Sequence, residues 1–570
     1  MKKLLSLMLV LVMVLAMFAG CGKTEAPAKT EEPAKTETPA KTEEPAKTEE
    51  PKQEEPKEDE IPAWKQEHPT WLCEEKTTLT FYTREAGESN SQMSNDTYFF
   101  QWLEDYTNVH IEFELGPNTD YATVMTAKLA SGEPLADIVY VEDTPTGNNA
   151  GINGLLIDLA PYVDTCFPNT KAHFAAENRN YFGDITNPDG TLYGIRFISD
   201  TYENKVIPMF KTSWMEQLGL EVPTTLEEFE NVLRAMKAAG DLNGNGEDDE
   251  VILSGAGLGD FYVGLAHVFG IEYLENENAL YAADESGQVY DLYTTDNMKA
   301  MLAWLNQMYD EGILDPEITV MKGANMNEKV AADRVGVTFY YASYVTSYGN
   351  MTPGGVEVPY SEQYTMGVPM ASQYNNNDPK IVKTVRYGNR FTGVSADCEN
   401  PELAAMWLDT IFADPNVLNT RFYGKEGETY NWGANGEAEL IPPADGTEWS
   451  TKKFGGGQLN IAHMQLRGQI AASRTFLAPW WNEQYKVIRD GDWWMDPTVP
   501  KLGSKTEDEQ MIYDLYYSEL NAGWQEWRDK FITGELDVEA DWEDFVTTMK
   551  ALGMDELRDG CFQSMYDRAK

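Results

Sequence analysis

One ten-residue stretch, from Asp241 to Glu250, carries the alternating oxygen donors that calcium-binding loops use. Side-chain oxygens stand at positions 1, 3 and 5, a glycine at position 6 permits a sharp turn, and position 7 offers a backbone carbonyl. Position 12 of an EF-hand would be Ile252, so the bidentate carboxylate must come earlier, from position 9 or 10. A solvated acidic turn is the alternative. We predict a structural calcium site with the ligands Asp241, Asn243, Asn245, Glu247, Asp249 and Glu250.

Aromatic residues with polar neighbours form a second candidate site. Sugars present flat C–H faces that stack on indole and phenol rings, and their hydroxyl groups need a few placed polar partners. Pro479 biases the chain towards an extended conformation, which places Trp480 and Trp481 at a strand end rather than in a helix. Packing in the core or hinge is the alternative for at least half of the fifteen tryptophans. The predicted sugar-binding residues are Tyr82, Arg84, Glu142, Tyr340, Tyr341, Tyr344, Arg386, Trp432, Trp480 and Trp481.

The motifs of common enzymes are absent from the sequence. None of the five histidines lies in an HExxH motif or a zinc-ligand spacing, and no GxSxG motif occurs. The glycine run at 455–457 lacks the Lys and Ser or Thr of a phosphate-binding loop. With 94 acidic residues, nearby carboxylate pairs are expected by chance and do not indicate a glycosidase. We therefore predict a binding protein rather than an enzyme.

The charge of the chain excludes one class of partner. With 44 Lys and Arg against 94 Asp and Glu the formal net charge is −50, and such a surface repels phosphate backbones. The amino-terminal signal contributes +2 and the repeats after it −6, so the remaining body carries −46. Nucleic acid is not an expected partner.

The amino terminus has the pattern of an export signal. Lys2 and Lys3 precede an apolar run from Leu4 to Ala19, which is too short for a comfortable membrane span but suits a signal peptide. The sequence Phe-Ala-Gly-Cys that ends at Cys21 resembles the lipobox of bacterial lipoproteins. That resemblance implies cleavage after residue 20 and acylation of Cys21, with palmitate as an expected acyl chain. A plain secretory signal is the alternative.

Residues 21–75 are expected to form a tether. A hexad of the type Lys-Thr-Glu-Glu-Pro-Ala repeats between Gly22 and Glu60, with a proline in each repeat. Such a chain cannot build a core, and it is extended and semi-rigid. Four cysteines follow it at wide spacing, which predicts buried free thiols; up to two disulfide bridges are the alternative, in any of three pairings. These are Cys73, Cys166, Cys398 and Cys561.

The body shows alternating strand and helix patterns. Strand-like stretches at 79–82, 110–115 and 136–141 alternate with helix-like stretches at 98–106 and 121–130, which predicts a βαβ sheet. Farther on, Thr225 and Glu228 make a capping box before an amphipathic helix that stops at Gly240. Trp524, Trp527 and Trp542 stand in helix-like stretches and are assigned to the core.

Several stretches of the body resemble family 1 extracellular solute-binding proteins, the receptors of sugar-importing ABC transporters. They occur in the family's order and cover roughly residues 76 to 570. The resemblance is to the large lipoprotein branch that includes alginate and pectin-oligosaccharide binders. The matching stretches are 128–138, 189–195, 214–224, 426–430, 531–534 and 566–568.

The resemblance implies an α/β fold of two lobes, of the periplasmic-binding-protein type, with a hinge and a central cleft. The expected division is a signal peptide at 1–20, the tether at 21–75, lobe 1 at 76–200, lobe 2 at 201–388, a return to lobe 1 at 389–428, and mainly lobe 2 at 429–570. In alginate-binding relatives a loop like 241–250 is a structural calcium site on one lobe, away from the ligand.

The expected function is that of a lipid-anchored, monomeric receptor on the extracellular face of the cell membrane. It would capture an oligosaccharide and deliver it to the permease of an ABC transporter. An exported polysaccharide hydrolase and a cell-surface adhesin are the alternatives, although repeats beyond the tether, which an adhesin should show, are not visible.

Overall fold

The computed structural model describes residues 61–86, 92–176, 179–199, 205–272, 281–349, 363–383, 386–434, 438–444, 450–457, 459–465, 479–496 and 505–569. The chain divides into two units, Met1–Ile61 and Pro62–Lys570. The predicted signal, the lipidation residue Cys21 and the repeats of the tether lie outside the described residues. The fold below is that of the second unit.

Strands and helices alternate through most of the described chain. The strands are β1 (Thr77–Arg84), β2 (Val109–Gly116), β3 (Ile138–Val141), β4 (Ile195–Ser199), β5 (Val206–Lys211), β6 (Val251–Gly255), β7 (Tyr281–Ala283), β8 (Val289–Asp291), β9 (Val335–Tyr341), β10 (Tyr364–Met366), β11 (Ile381–Val382), β12 (Arg386–Val394), β13 (Tyr430–Trp432), β14 (Ala438–Leu440), β15 (Met464–Gln465) and β16 (Trp494–Met495). The helices are α1 (Ala63–Glu67), α2 (Tyr98–Thr107), α3 (Tyr121–Ala130), α4 (Thr144–Ile152), α5 (Val163–Cys166), α6 (Pro168–Ala176), α7 (Tyr181–Ile185), α8 (Thr212–Leu218), α9 (Leu226–Ala239), α10 (Leu258–Ala266), α11 (Asp296–Asp310), α12 (Gly323–Ala331), α13 (Tyr344–Gly349), α14 (Pro401–Ala413), α15 (Pro415–Tyr423), α16 (Pro479–Asp490), α17 (Glu507–Thr533), α18 (Trp542–Ala551), α19 (Met554–Leu557) and α20 (Ser564–Ala569).

The first sheet has six strands in the order β15-β4-β12-β3-β1-β2. β1 runs parallel to β2 and β3, and β15 runs parallel to β4. β12 is antiparallel to both of its neighbours, β3 and β4. The carboxyl ends of the other five strands and the amino end of β12 therefore lie at one edge, which we call the carboxyl edge of the first sheet.

The second sheet has four strands in the order β10-β5-β9-β6. β6 is parallel to β9, whereas β5 is antiparallel to both β9 and β10. Three further sheets have two strands each, namely β7 with β8, β11 with β16, and β13 with β14. The carboxyl ends of β6 and β9 lie at the same edge as the amino end of β5.

Each large sheet has its own hydrophobic core. Phe81, Val139 and Trp407 are fully buried in the core of the first sheet, because helices cover it and its central strands are apolar on both faces. The core of the second sheet includes the apolar faces of α9 and α11 and reaches α17 and α18. A third cluster joins β5, β9, β10, α12, α13 and α16 beside the second sheet.

The chain passes between the two sheets three times: between β4 and β5, between β11 and β12, and after β15. We call residues 62–199 and 386–465 the first lobe, and residues 205–383 and 479–569 the second lobe. The first lobe thus extends to β15, so that 429–465 lies in it, whereas 479–569 lies in the second lobe. A two-residue strand has no alternating pattern in the sequence, so its place becomes visible only through its pairing with β4.

The predicted βαβ order of the first lobe is confirmed. The strand-like and helix-like stretches between 79 and 141 correspond to β1, α2, β2, α3 and β3. The helix before Gly240 is also confirmed, and the Thr225 hydroxyl accepts from the Glu228 N–H at 3.2 Å. The Glu228 carboxylate, however, accepts from the N–H and hydroxyl of Thr224 rather than from Thr225. The capping box is therefore shifted by one residue on its carboxylate side.

The four cysteines of the body are free thiols, as predicted. The predicted burial is confirmed for Cys166 and Cys561 and is wrong for Cys73 and Cys398, which are half-buried. Burial raises the pKa of Cys398 to about 12 and that of Cys561 to about 11. Among the described helices, none combines the length and the apolar character needed to cross a bilayer.

Candidate functional site

The carboxyl edge of the first sheet brings together Arg84 and Glu142, two of the predicted ligand-binding residues. Arg84 is the last residue of β1 and Glu142 follows β3, its neighbour in the sheet. Their side chains form an ion pair, and Arg84 Nη2 also donates to Asn460 Oδ1 at 3.3 Å. Both side chains of the pair are partly exposed, at 21% and 28%. In open α/β sheets, ligands bind outside the carboxyl ends of the strands.

Asn460 holds this edge together, although nothing in its sequence context marked it. Its Nδ2 donates to the carbonyls of Arg84 at 2.9 Å and Glu85 at 3.0 Å, and its own carbonyl accepts from the Thr83 hydroxyl. It is completely buried. A side chain from far along the chain therefore fixes the end of β1 and orients Arg84.

Two further arginines at this edge were also missed. The Arg390 guanidinium of β12 lies 5.6 Å from the centre of the Phe197 ring and donates to the carbonyl of Leu459 at 3.3 Å. Arg421 of α15 is completely buried and donates to the carbonyl of Met464. Burial, together with the charge of Arg390, lowers the pKa of Arg421 to about 9. A cationic group thus lies beneath the edge.

Tyr82 is buried to 7% exposure and contributes packing beside the edge rather than an open ring. Its ring stacks on Tyr121 at 5.8 Å, and the Lys128 ammonium lies 4.6 Å from its centre. Burial raises the pKa of the Tyr82 hydroxyl. Arg386 opens β12 opposite Ser199, and its side chain lies outside the described residues.

Trp432 is the candidate ring with the greatest exposure in the first lobe. It ends β13, is 42% exposed, and meets the rings of Tyr430 at 5.4 Å and Tyr423 at 6.0 Å edge to face. The two tyrosines are buried, and their rings pack against the indole and support it. Such a ring can stack on a flat apolar face without losing its support.

In the second lobe, Tyr340, Tyr341 and Tyr344 form one aromatic group at the carboxyl end of β9. The Tyr340 ring lies 5.3 Å from Tyr341 and 4.4 Å from Tyr344, edge to face in both cases. Tyr344 is 36% exposed and begins α13. The structure therefore brings these three predicted residues together.

The prediction for Trp480 and Trp481 is wrong in its conformation, and wrong for Trp481 in its exposure. Pro479 opens α16 instead of extending the chain, because proline is well tolerated in the first turn of a helix. Trp481 is fully buried and stacks on Tyr485 at 4.3 Å, one helical turn away. Trp480 is half-buried against the same cluster. Trp481 belongs to the core of the second lobe.

The predicted calcium loop connects α9 with β6 and folds around its own side-chain oxygens. The Asp241 carboxylate accepts from the N–H groups of Asn245 at 3.0 Å and Gly246 at 2.9 Å. The Asn243 amide oxygen accepts from Asn245 N–H at 2.9 Å, and the Asn245 amide oxygen accepts from Glu247 N–H at 2.7 Å. Gly246 has a φ of 91°, which favours glycine at this sharp turn.

One carboxylate oxygen of the loop fits a cation. Glu250 Oε1 accepts from the N–H groups of Leu242 and Asn243, whereas Oε2 is buried without a hydrogen-bond partner among the described residues. Asp249 Oδ2 pairs with Arg334 Nε at 2.8 Å. In the part of the chain that the structure describes, no three His, Cys, Asp or Glu side chains are grouped so as to hold a metal ion. A metal in this loop would therefore also need amide and backbone oxygens.

Comparisons with known proteins identify relatives over most of the chain. The sequence profile of the bacterial extracellular solute-binding proteins matches residues 87–417. The fructooligosaccharide ABC transporter substrate-binding protein FusA of Streptococcus pneumoniae is 23% identical over 534 residues, which are 89% of this chain and 93% of that protein.

Solved structures agree with this result at the level of the fold. The alginate-binding protein AlgQ2, solved without calcium ion, superposes with a TM-score of 0.63 at 18% identity, covering 87% of this chain and 99% of that one. An EF-hand mutant of the S. pneumoniae protein FusA, in complex with fructo-nystose, gives a TM-score of 0.63 at 20% identity, with coverages of 86% and 99%. The α/β fold is thus that of the two-lobed periplasmic-binding-protein type, with a hinge and a central cleft.

Proposed function

The chain belongs to the bacterial extracellular solute-binding proteins, and from this membership we propose that it captures an oligosaccharide for import by an ABC transporter. The observation that carries the proposal is the carboxyl edge of the first sheet, where Arg84 and Glu142 present a partly exposed polar pair that the buried Asn460 holds in place. Trp432 in the first lobe and the group Tyr340, Tyr341 and Tyr344 in the second supply rings for stacking. FusA, which is similar over most of its length, is a fructooligosaccharide-binding protein.

The proposed mechanism is capture without chemistry. Polar side chains at the edge bind hydroxyl groups, aromatic rings stack on the sugar faces, and the lobes close about the hinge. The three passages between the sheets support hinge motion because few backbone segments need to bend. The monomeric protein then delivers the unaltered sugar to the permease.

A screen of mono- and oligosaccharides by thermal shift tests this function. A bound ligand stabilises the folded state by RT ln(1 + [L]/Kd), so a true ligand raises the melting temperature in a concentration-dependent way. Calorimetry and product analysis of the best ligand follow. Steady hydrolysis of the sugar would contradict the proposal and favour an exported hydrolase, and the absence of any saccharide ligand would contradict it as well.

We also propose that the loop 241–250 binds a structural calcium ion, through Asp241, Asn243, Asn245, Glu247 and Glu250, with Asp249 adjoining. The buried, unpartnered Oε2 of Glu250 and the left-handed glycine turn support this assignment. An ion there would add positive charge between the end of α9 and the start of β6. The binding residues named above lie on other elements, so the ion would stabilise the second lobe rather than contact the sugar.

The proposed location is the extracellular face of the membrane, with an acyl anchor at Cys21. The support is the lipobox-like sequence before Cys21, and two acyl chains suffice for stable anchoring. Metabolic labelling with a palmitate analogue should mark the wild type and not Cys21→Ala. Labelling of both forms, or of neither, would contradict the assignment.

A further inference from the structure

The arginines of the two lobes differ in their partners. Every described arginine of the second lobe forms an ion pair with a carboxylate; these are Arg234, Arg334, Arg489, Arg528, Arg558 and Arg568. At the carboxyl edge of the first sheet, Arg84 is paired with Glu142. Three described arginines of the first lobe, Arg196, Arg390 and Arg421, have no carboxylate partner among the described residues, and two of them, Arg390 and Arg421, lie at this edge. In a body that carries −46, two arginines without a counter-charge at one edge of a sheet are unexpected.

Arg421 is the more unusual of the two because it is completely enclosed. Its Nη2 donates to the carbonyl of Met464, whereas Nε and Nη1 are buried without hydrogen-bond partners among the described residues. Removing a charged group from water without pairing it costs several kcal/mol. The fold therefore holds this guanidinium at a cost, and an anion nearby would reduce that cost.

Arg390 lies near this buried charge, since its own charge adds to burial in lowering the pKa of Arg421. Arg390 is half-buried, and its guanidinium is stacked beside Phe197 and bonded to the carbonyl of Leu459, next to Asn460. Both guanidinium groups act on the buried His463. Burial lowers the pKa of His463 well below its usual value, and the charges of Arg421 and Arg390 lower it further. His463 is thus neutral, so the positive charge of this group comes from the two arginines alone.

We infer that the solute bound at this edge carries a negative charge of the carboxylate type, received by Arg390 and reinforced by the field of Arg421. The inference rests on the proposed function, since it names the class of sugar that the same site takes. Glu142 is already held by Arg84, so Arg84, Glu142, Arg390 and Arg421 together leave a net charge of +2 at the edge. A charge in a poorly hydrated site acts strongly on its neighbours, whereas the acidic outer surface is screened by salt.

Calorimetric titration of the full chain tests this inference with two probes that share one sugar backbone, of which one is charged and the other is neutral. One is a trimer of galacturonate, and the other is the same trimer with its carboxylates methyl-esterified. We expect the acid to bind about ten-fold or more tightly, because hydrogen bonds to a charged group are stronger than neutral ones. Neutral fructo-, malto- and galacto-trimers are titrated in parallel.

The outcomes separate this inference from the proposed function. Binding of neutral trimers with no preference for the acid would overturn the inference and leave the function standing. If no saccharide of either set binds, the proposed function falls and the inference falls with it. A preference for the acid that shrinks as salt is added supports both.

Two variants test the assigned residues, and Arg558→Gln in the second lobe removes the same charge as a control. Arg390→Gln should reduce the preference for the acidic trimer by about ten-fold while Arg558→Gln leaves it unchanged. Arg421→Met should weaken acid binding and keep or raise the melting temperature without ligand, because an unpaired buried cation is removed. A lower melting temperature with an unchanged preference would overturn the role of Arg421, and an unchanged preference in Arg390→Gln would overturn that of Arg390.

Discussion

The indole Nε1 of Trp481 donates a hydrogen bond of 3.1 Å to the backbone carbonyl of Ala342. This bond joins the first turn of α16 to the chain directly after β9. Tyr340, Tyr341 and Tyr344 flank Ala342, so the aromatic group proposed to stack on the sugar rests on a buried tryptophan from a segment far along the chain. Trp481 is therefore expected to support the group without touching the ligand.

Replacing Trp481 should reduce the stability of the protein, whereas replacing Trp432 should reduce its affinity for the sugar. Trp481→Ala is expected to lower the free energy of unfolding by about 3–5 kcal/mol, since it opens a cavity and leaves the Ala342 carbonyl without its donor. Trp432→Ala removes a 42% exposed ring and should leave stability nearly unchanged, while it weakens binding of the identified sugar by roughly 1–3 kcal/mol. Urea unfolding and calorimetric titration of both variants measure these effects. Loss of stability in Trp432→Ala with wild-type affinity would assign that ring to packing.

Removal of calcium should destabilise the second lobe. Exhaustive chelation is expected to lower the melting temperature, and added calcium should restore it in proportion to RT ln(1 + [L]/Kd). Glu250→Gln should abolish the response to calcium, because it removes the carboxylate whose Oε2 has no hydrogen-bond partner among the described residues. Glu311→Gln, a partly exposed carboxylate of the same lobe, is the matched control. Identical melting curves and no bound metal in the wild type would exclude the calcium site.

The stability of the protein should fall in mild acid through His267. This side chain is buried and its ring Nε2 accepts from Met370 N–H at 3.3 Å, and burial lowers its pKa from the usual 6.5 to about 4. A depressed histidine pKa means that the unfolded chain binds the proton first. The stabilisation that the neutral His267 ring contributes to the free energy of unfolding is complete above pH 6.5. It is lost as the pH falls from there towards 4, and the loss is about 2 kcal/mol at pH 5.

Urea unfolding between pH 7 and pH 5 measures this loss, with His267→Gln as the comparison because a glutamine oxygen can accept the same hydrogen bond. Carboxylates contribute equally to both proteins, so the difference between their slopes isolates His267. Parallel pH dependences would show that its titration does not contribute.

Ligand binding should close the lobes. The two lobes have separate cores and are joined by three passages of the chain, an arrangement that permits bending at a hinge. Small-angle scattering with a saturating concentration of the identified sugar is expected to show a smaller radius of gyration than scattering without it. Unchanged scattering at saturation would argue against closure, and a non-binding sugar of equal size serves as the control.

The features that the sequence determined by itself are local or repetitive. The predicted export signal, the lipobox-like cysteine and the hexad repeats are contiguous, and the spacing of the predicted calcium ligands in 241–250 fits within one loop. The strands and helices between 79 and 141 follow from periodicity, since apolar residues recur with the period of each element. Tyr340, Tyr341 and Tyr344 are likewise close in sequence, which is why they could be proposed as one group.

Only the tertiary structure decided which distant residues meet. The Asn460 side chain donates a hydrogen bond to the carbonyl of Arg84, which lies 376 positions earlier in the chain. Arg421 donates to the backbone carbonyl of Met464 instead of pairing with a carboxylate. Trp481 was misassigned because a proline before an aromatic pair suits either a strand end or a helix start, and the choice depends on what the ring can pack against. Burial and charge pairing are properties of the folded neighbourhood, and no local pattern encodes them.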